Sequence, residues 1–170
     1  EIFDQPLNNW NVSNVENMDY MFQYAVNFNQ PIGNWNVSIV TDMNCMFNGA
    51  YKFNQPIGDW DVSNVTNMEG MFLRAIKFNQ PIGNWDVSNV TNMLAMFQDA
   101  NFNQPIGDWD VSNVTDMSNM FQAVNFNQPI GNWNVSNVTD MSYMFYSAEN
   151  FNQPIGNWDV SNVNNMSEMF

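Results

Sequence analysis

This 170-residue chain carries three Lys or Arg against seventeen Asp or Glu, a net charge of −14. That balance argues against nucleic acid, whose phosphates need basic side chains, and against anionic membrane surfaces. With no His and one cysteine, Cys45, the chain offers neither an internal disulfide nor a His-activated nucleophile.

In chain order, one unit is written seven times. Trp10, Trp35, Trp60, Trp85, Trp109, Trp133 and Trp158 recur at 25 residues, a step that twice shortens to 24. Around each runs nearly the same text, Phe-Asn-Gln-Pro-Ile-Gly-(Asn/Asp)-Trp-(Asn/Asp)-Val-Ser-Asn-Val-Thr-(Asn/Asp)-Met-x-x-Met-Phe-x-x-Ala. A fixed period of this length predicts stacked units that share one core, here a single array over residues 1–170. The text begins in mid-pattern at Glu1, without a signal peptide, and stops at Phe170 before the expected Ala, so the chain reads as a fragment of a longer protein. No apolar run approaches the ~20 residues of a membrane-spanning helix.

Within a unit two periodicities alternate. Trp35 and Val37 point one way and Asn34 and Asn36 the other, which predicts a short strand. Met43, Met46, Phe47 and Ala50 then stand at i, i+3, i+4 and i+7, which predicts about two turns of helix, with Thr41 and Asp42 at its start. The expected fold is therefore an α/β solenoid, a leucine-rich-repeat-like parallel sheet with one short strand and one short helix or helical turn per ~25-residue repeat. Gly33, Gly58, Gly83, Gly107, Gly131 and Gly156 form a column that Asn8 replaces in the first unit. Asn is the best substitute at a left-handed position, so positive φ is expected there. The two one-residue deletions, beside Asn101 and Ala123, mark the segment after the helix as a surface loop. The Gln column, from Gln5 to Gln153, is expected to hydrogen-bond along the stack as an amide ladder.

The segment Met46-Phe47-x-x-Ala50-x-x-Phe53 resembles the Ala-Phe-x-x-Cys-x-x-Leu signature of BspA-like leucine-rich repeats. The text Trp-Asp-Val-Ser-Asn-Val-Thr-x-Met is similar to the repeat of mycoplasma-type bacterial surface lipoproteins. The resemblance covers the whole chain. It implies a parallel-sheet solenoid on a secreted or surface-anchored protein, and, because some BspA-like proteins are adhesins for host matrix proteins, it suggests adhesion. The Trp strand and the Asn-Gln-Pro turn depart from better-known members, so no ligand carries over.

With Trp and Val inward, two Asx columns face outward. Asp59, Asp61, Asp86, Asp108 and Asp110 are expected to gather on neighbouring strands with no basic residue between them, and Asp159 continues the face. Carboxylates and amide oxygens suit a hard cation such as calcium, against the plainer reading of a solvated acidic face. Mutual repulsion would raise these carboxyl pKa values. A glycosidase pair is a poor reading, because a flat face offers no cleft and the motif recurs where an active site is unique. Sequons such as Asn36 and Asn64 follow from the repeat text.

The sequence thus supports a non-enzymatic extracellular or cell-surface module for protein interaction or adhesion. No cofactor beyond calcium is implied, and its partner is expected to be a host or extracellular protein. The alternative is a structural stalk or self-associating fibre element joined end to end.

Overall fold

The computed structural model describes residues 2–170; Glu1, the first residue of the expected array, lies outside them. The chain winds into stacked coils, one per Trp, numbered here 1 to 7 from Trp10 to Trp158. Backbone bonds link residues about one repeat apart along the whole length, as from Met18 N–H to the Asp42 carbonyl at 2.9 Å and from Met43 N–H to the Asn67 carbonyl at 3.0 Å.

The expected α/β solenoid with a parallel sheet is overturned. Among the described residues there is no helix and no strand. Parallel pairing reduces to single-residue bridges in one column, Asn17 to Asp42 to Asn67 to Asn92 to Asp116 to Asp140 to Asn165. That column lies at the residue before the first Met of each unit, where the helix was expected to begin, and not at the Trp segments.

Turns replace the helix. Closing bonds run from Trp35 N–H to Ile32 (3.1 Å), Val40 to Val37 (2.9 Å), Met46 to Met43 (3.2 Å), Ala50 to Phe47 (3.0 Å) and Phe53 to Ala50 (3.0 Å). Each turn places its first and last residues inward, so apolar residues recur three apart, the spacing a helix also produces. The Met-x-x-Met-Phe-x-x segment has left-handed residues at two of the x positions: Cys45 (φ 52) and Gly49 (φ 69) in coil 2, Ala95 (φ 53) and Asp99 (φ 55) in coil 4. Residues of positive φ at this spacing end any continuous α-helix.

The backbone account over residues 43–50 is complete. Alternate N–H groups, of Met43, Cys45, Phe47 and Gly49, donate to Asn67, Glu69, Met71 and Leu73 of the next coil. Of the others, Asn44 donates to Asp42 Oδ1 at 2.8 Å, while Met46, Asn48 and Ala50 close turns within the coil. An isolated helix of this length leaves its first four N–H and last four carbonyl groups unpaired, whereas the stack satisfies every N–H. Thr41 and Asp42 are accordingly not helix caps. Thr41 donates its N–H (2.8 Å) and hydroxyl (3.2 Å) back to the Glu16 carbonyl.

The inward and outward assignment holds without a strand. Trp35, Val37, Val40, Met43, Met46 and Phe47 are buried, while Asn34 and Asn36 are exposed. Two columns of Phe run along the axis, Phe47 on Phe72 at 5.7 Å and Phe53 on Phe78 at 6.0 Å between ring centroids, and they pair within a coil at 3.9 Å. Trp85 is 3% exposed, stacks on Phe72 at 6.3 Å and donates its indole N–H to the Ile57 carbonyl of the preceding coil at 3.1 Å. A buried side chain of this kind contributes roughly 1.5–3 kcal/mol, repeated from coil 2 to coil 7, while Trp10 of coil 1 is exposed.

The glycine column has a cause other than the one expected. Gly33, Gly58, Gly83, Gly107 and Gly131 do not have positive φ. A Cβ at Gly33 would meet the Pro56 carbonyl oxygen of the next coil at 2.4 Å, and one at Gly83 would meet that of Pro105 at 2.6 Å. Glycine is needed because two backbones approach closely. At Gly156, in coil 7, nothing lies within 4 Å.

The amide ladder uses two columns. Gln55 Nε2 donates to the Asn29 carbonyl at 2.8 Å, and Asn54 N–H to Asn29 Oδ1 at 2.9 Å; the pattern repeats up the stack. In coil 1 the Asn position is Asp4, which accepts from Gln30 Nε2 at 2.9 Å and Asn29 N–H at 3.0 Å. Those two bonds, Gln30 first, hold its carboxyl below the ordinary value.

Candidate functional site

Around each Trp the outward residues come from two short stretches, the Pro-Ile-Gly-Asx that leads into it and the Asx-Val-Ser-Asn that follows it. The six Asp residues marked in the sequence divide between them.

After Trp, the Asx side chain turns back on its own backbone. Asp61 Oδ1 accepts from Ser63 N–H at 3.1 Å, Asp86 from Ser88 at 3.1 Å, Asp110 from Ser112 at 3.0 Å and Asp159 from Ser161 at 3.1 Å. Asn36 and Asn134 make the same bond at 3.1 and 3.2 Å. This is the Asx turn, which Asn and Asp form because their short side chains reach the N–H two residues on. It tightens the Val-Ser-Asn-Val corner, where Asn89 Nδ2 also ties the coil to the Ser63 carbonyl of the preceding one at 2.8 Å.

These bonds reverse the expected electrostatics. The Ser88 side chain and then its amide hold the Asp86 carboxyl below its ordinary value, and Ser161 does the same for Asp159. Asp110 is lowered by Ser112 in the same way, and the opposing push from neighbouring Asp86 is the smallest of its influences. Hydrogen bonding to the charged form outweighs like-charge repulsion across the stack. Among the described residues no group of three or more His, Cys, Asp or Glu side chains is gathered to hold a metal ion. Asp59, Asp61, Asp86, Asp108 and Asp110 are each exposed.

Before Trp, the geometry is different. The Pro-Ile-Gly-Asx stretches of successive coils leave an open groove of about 540 Å³, lined by Pro56, Pro81, Pro105, Gly58, Gly83 and Asp59, with Asn84 beside them. It continues past Gly107 and Asp108 to Pro129, Asn132 and Pro154. Asp59 and Asp108 stand exposed at this groove. In contrast to the four Asp after Trp, neither accepts a hydrogen bond from any described residue. Sequence reasoning missed the groove. Its signal was present in the fixed Pro and Gly columns two residues apart, but their exposure depends on the contact between coils.

Lys52 and Lys77 lie elsewhere, after the left-handed turns of coils 2 and 3, and Arg74 (φ 57) is itself a left-handed residue of coil 3, where it pairs with Asp99 at 3.6 Å. The oxygens Asn44 Oδ1 and Asn48 Oδ1 in coil 2 and Gln122 Oε1 in coil 5 are buried without a partner. No helix among the described residues is long and apolar enough to cross a membrane.

No curated protein and no solved structure matches the chain. Residues 1–104 and 80–170, which together span its length, match the profile of a family described as Mycoplasma protein of unknown function, DUF285. The seven coils thus belong to the DUF285 family of Mycoplasma proteins.

Proposed function

We propose that this chain is a non-enzymatic interaction module of an extracellular or cell-surface protein, presenting an acidic, amide-rich surface to a host or extracellular protein in adhesion. The observation that carries this reading is repetition on the outside. The same Asx, Ser and Thr columns face solvent coil after coil, and such a surface offers many equivalent contacts where an enzyme needs one distinct constellation. A weak contact repeated along a rigid stack gains through effective concentration. The net charge of −14 favours a basic partner. The Met46-Phe47-x-x-Ala50-x-x-Phe53 text adds support through its likeness to BspA-like adhesins.

The test is adhesion of beads coated with the chain to immobilised host matrix proteins. Beads carrying the wild-type chain are expected to adhere more than albumin-coated beads. A variant with Asn at Asp59, Asp61, Asp86, Asp108, Asp110 and Asp159 is expected to lose adhesion and keep its melting temperature. Adhesion no better than albumin, together with concentration-dependent linear growth in light scattering, would replace this reading with the stalk or self-associating fibre.

A further inference from the structure

Variation between coils is confined to one side of the stack. From Pro to the Asx after Thr, coils 2 to 6 differ only by Asn for Asp, apart from Ile39. The left-handed turns change at nearly every step. One of their positive-φ positions reads Tyr24, Gly49, Arg74, Asp99, Ala123 and Ser147, six residue types in six coils. Backbone bonds link the coils through this column, from Gly49 N–H to the Leu73 carbonyl and from Arg74 N–H to that of Gln98, both at 2.8 Å. The variable residues therefore stand in register along one face. Glycine would fill this column without strain, and other residues there carry a left-handed backbone cost. Stability alone favours glycine in every coil, so the diversity points to a use for the side chains.

The same face holds what the rest of the surface lacks. All five Tyr and all three Lys or Arg of the chain lie in these turns or in the two residues that follow them. Tyr and Arg are over-represented where proteins meet. At coils 2 and 3, Tyr51, Lys52, Arg74, Ile76 and Lys77 are all exposed. Lys52 and Lys77 occupy a column that is Asn27, Asn101, Asn125 and Asn150 in the other coils. The next residues, Phe53 and Phe78, stack at 6.0 Å, so the lysines are neighbours on successive coils. Among the described residues the one ion pair is Arg74 with Asp99, and it leaves both lysines without a carboxylate. Two neighbouring ammonium groups favour an anion between them. Tyr51 and Ile76, 39% and 47% exposed, precede them and add apolar surface. The net charge of −14 repels a polyanion such as a nucleic acid or a sulfated glycan. The anion that fits is a single carboxylate with apolar neighbours, which a protein supplies.

We propose that the left-handed turn face selects the partner, and that at coils 2 and 3 it takes a folded protein presenting an acidic side chain to Lys52 and Lys77 and an apolar side chain to Tyr51 and Ile76. This rests on the interaction-module reading. The repeated acidic columns attract a protein that is basic overall, and the turn face chooses among such proteins by a local carboxylate. Lys52→Asn and Lys77→Asn restore the residue of the other coils and therefore spare the fold.

The experiment measures binding of the chain to immobilised collagen, laminin and vitronectin by surface plasmon resonance, with lysozyme as a basic protein that responds to net charge alone. The wild-type chain is expected to bind at least one of the three. Lys52→Asn with Lys77→Asn is expected to weaken that binding about tenfold, and Ile76→Ala about fivefold, at an unchanged melting temperature. Neither is expected to weaken binding to lysozyme. Asn101→Ala, in the lysine column of coil 4, is expected to change nothing. The variant with all six Asp replaced is expected to lose lysozyme and matrix protein alike. Wild-type affinity in the double lysine variant would overturn the proposal and return the variation to drift in unconstrained turns. Loss of wild-type binding after enzymatic deglycosylation of the matrix protein would overturn it in favour of a glycan. If the six-Asp variant alone loses the matrix protein, the interaction module stands and only this face is wrong. If the wild-type chain binds none of the three, the module reading fails and the proposal falls with it.

Discussion

Alanine at Gly83 and at Gly156 should act with opposite sign, although both residues occupy the same column of the repeat. At Gly83 the added Cβ would lie 2.6 Å from the Pro105 carbonyl oxygen, against ordinary contact from 3.4 Å, so the coils must part by roughly 0.8 Å. The obstacle is backbone, and no rotamer relieves it. Overpacking of this kind costs about 1–3 kcal/mol. The indole N–H of Trp109, bonded to the adjacent Ile82 carbonyl at 3.2 Å, would be drawn out to roughly 4.0 Å and lose about 1 kcal/mol more. The expected loss is about 2–4 kcal/mol. At Gly156 no atom lies within 4 Å and φ is not positive, so alanine acts through the unfolded chain and should stabilise by about 0.4–1 kcal/mol. Urea unfolding monitored by Trp fluorescence measures both, and with a slope of about 1–3 kcal/mol/M the Gly83→Ala midpoint should fall by roughly 1 M or more. If the column existed for positive φ, both variants would lose stability alike. Equal losses, or a Gly83→Ala midpoint at the wild-type value, would refute the close-approach explanation.

Ala123→Gly tests the turns: at φ 54 the relief of a left-handed residue, about 1–2 kcal/mol, exceeds the entropy cost of glycine, about 0.5–1 kcal/mol, so thermal unfolding should show an unchanged or raised melting temperature, whereas the same change in a helix would cost about 1 kcal/mol. Trp85→Ala should destabilise by roughly 3–5 kcal/mol and Trp85→Phe by less; a melting temperature for Trp85→Ala within error of wild type would contradict its buried place. On pH, the folded carboxyls of Asp86, Asp110 and Asp159 lie below their ordinary value of 3.8, so their contribution is present above 3.8 and lost as pH falls through the folded values. Melting temperature should therefore drop on acidification through that window, and a rise instead would restore like-charge repulsion as the dominant effect. Asp86→Asn keeps the Asx turn, as Asn36 and Asn134 do, and should preserve stability at neutral pH while shrinking the acid-induced loss; calcium at neutral pH should leave the melting temperature unchanged.

The sequence by itself determined the repeat unit and the sorting of residues between inside and outside. In coils 2 to 6 Trp, Val, Met and Phe are buried where their columns predicted, while Trp10, Met21, Val160 and Met166 of the end coils are exposed, because burial follows from side-chain chemistry and from the need of each unit to hide one apolar side against a neighbour. Glycine's necessity at Gly33 and Gly83 was also legible, though its reason was not, since the Pro carbonyl that excludes a Cβ comes from the next coil, 22 or 23 residues along the chain. The choice between helix and turns belonged to the tertiary structure alone. Met43, Met46, Phe47 and Ala50 satisfy the spacing of an α-helix and that of consecutive turns equally well. What decides between them is where alternate N–H groups find acceptors, and those acceptors are Asn67, Glu69, Met71 and Leu73 of the next coil. The acidic residues follow the same rule. Local text placed Asp61, Asp86, Asp110 and Asp159 two residues before a serine, while the groove that leaves Asp59 and Asp108 free arises only when one coil settles on another.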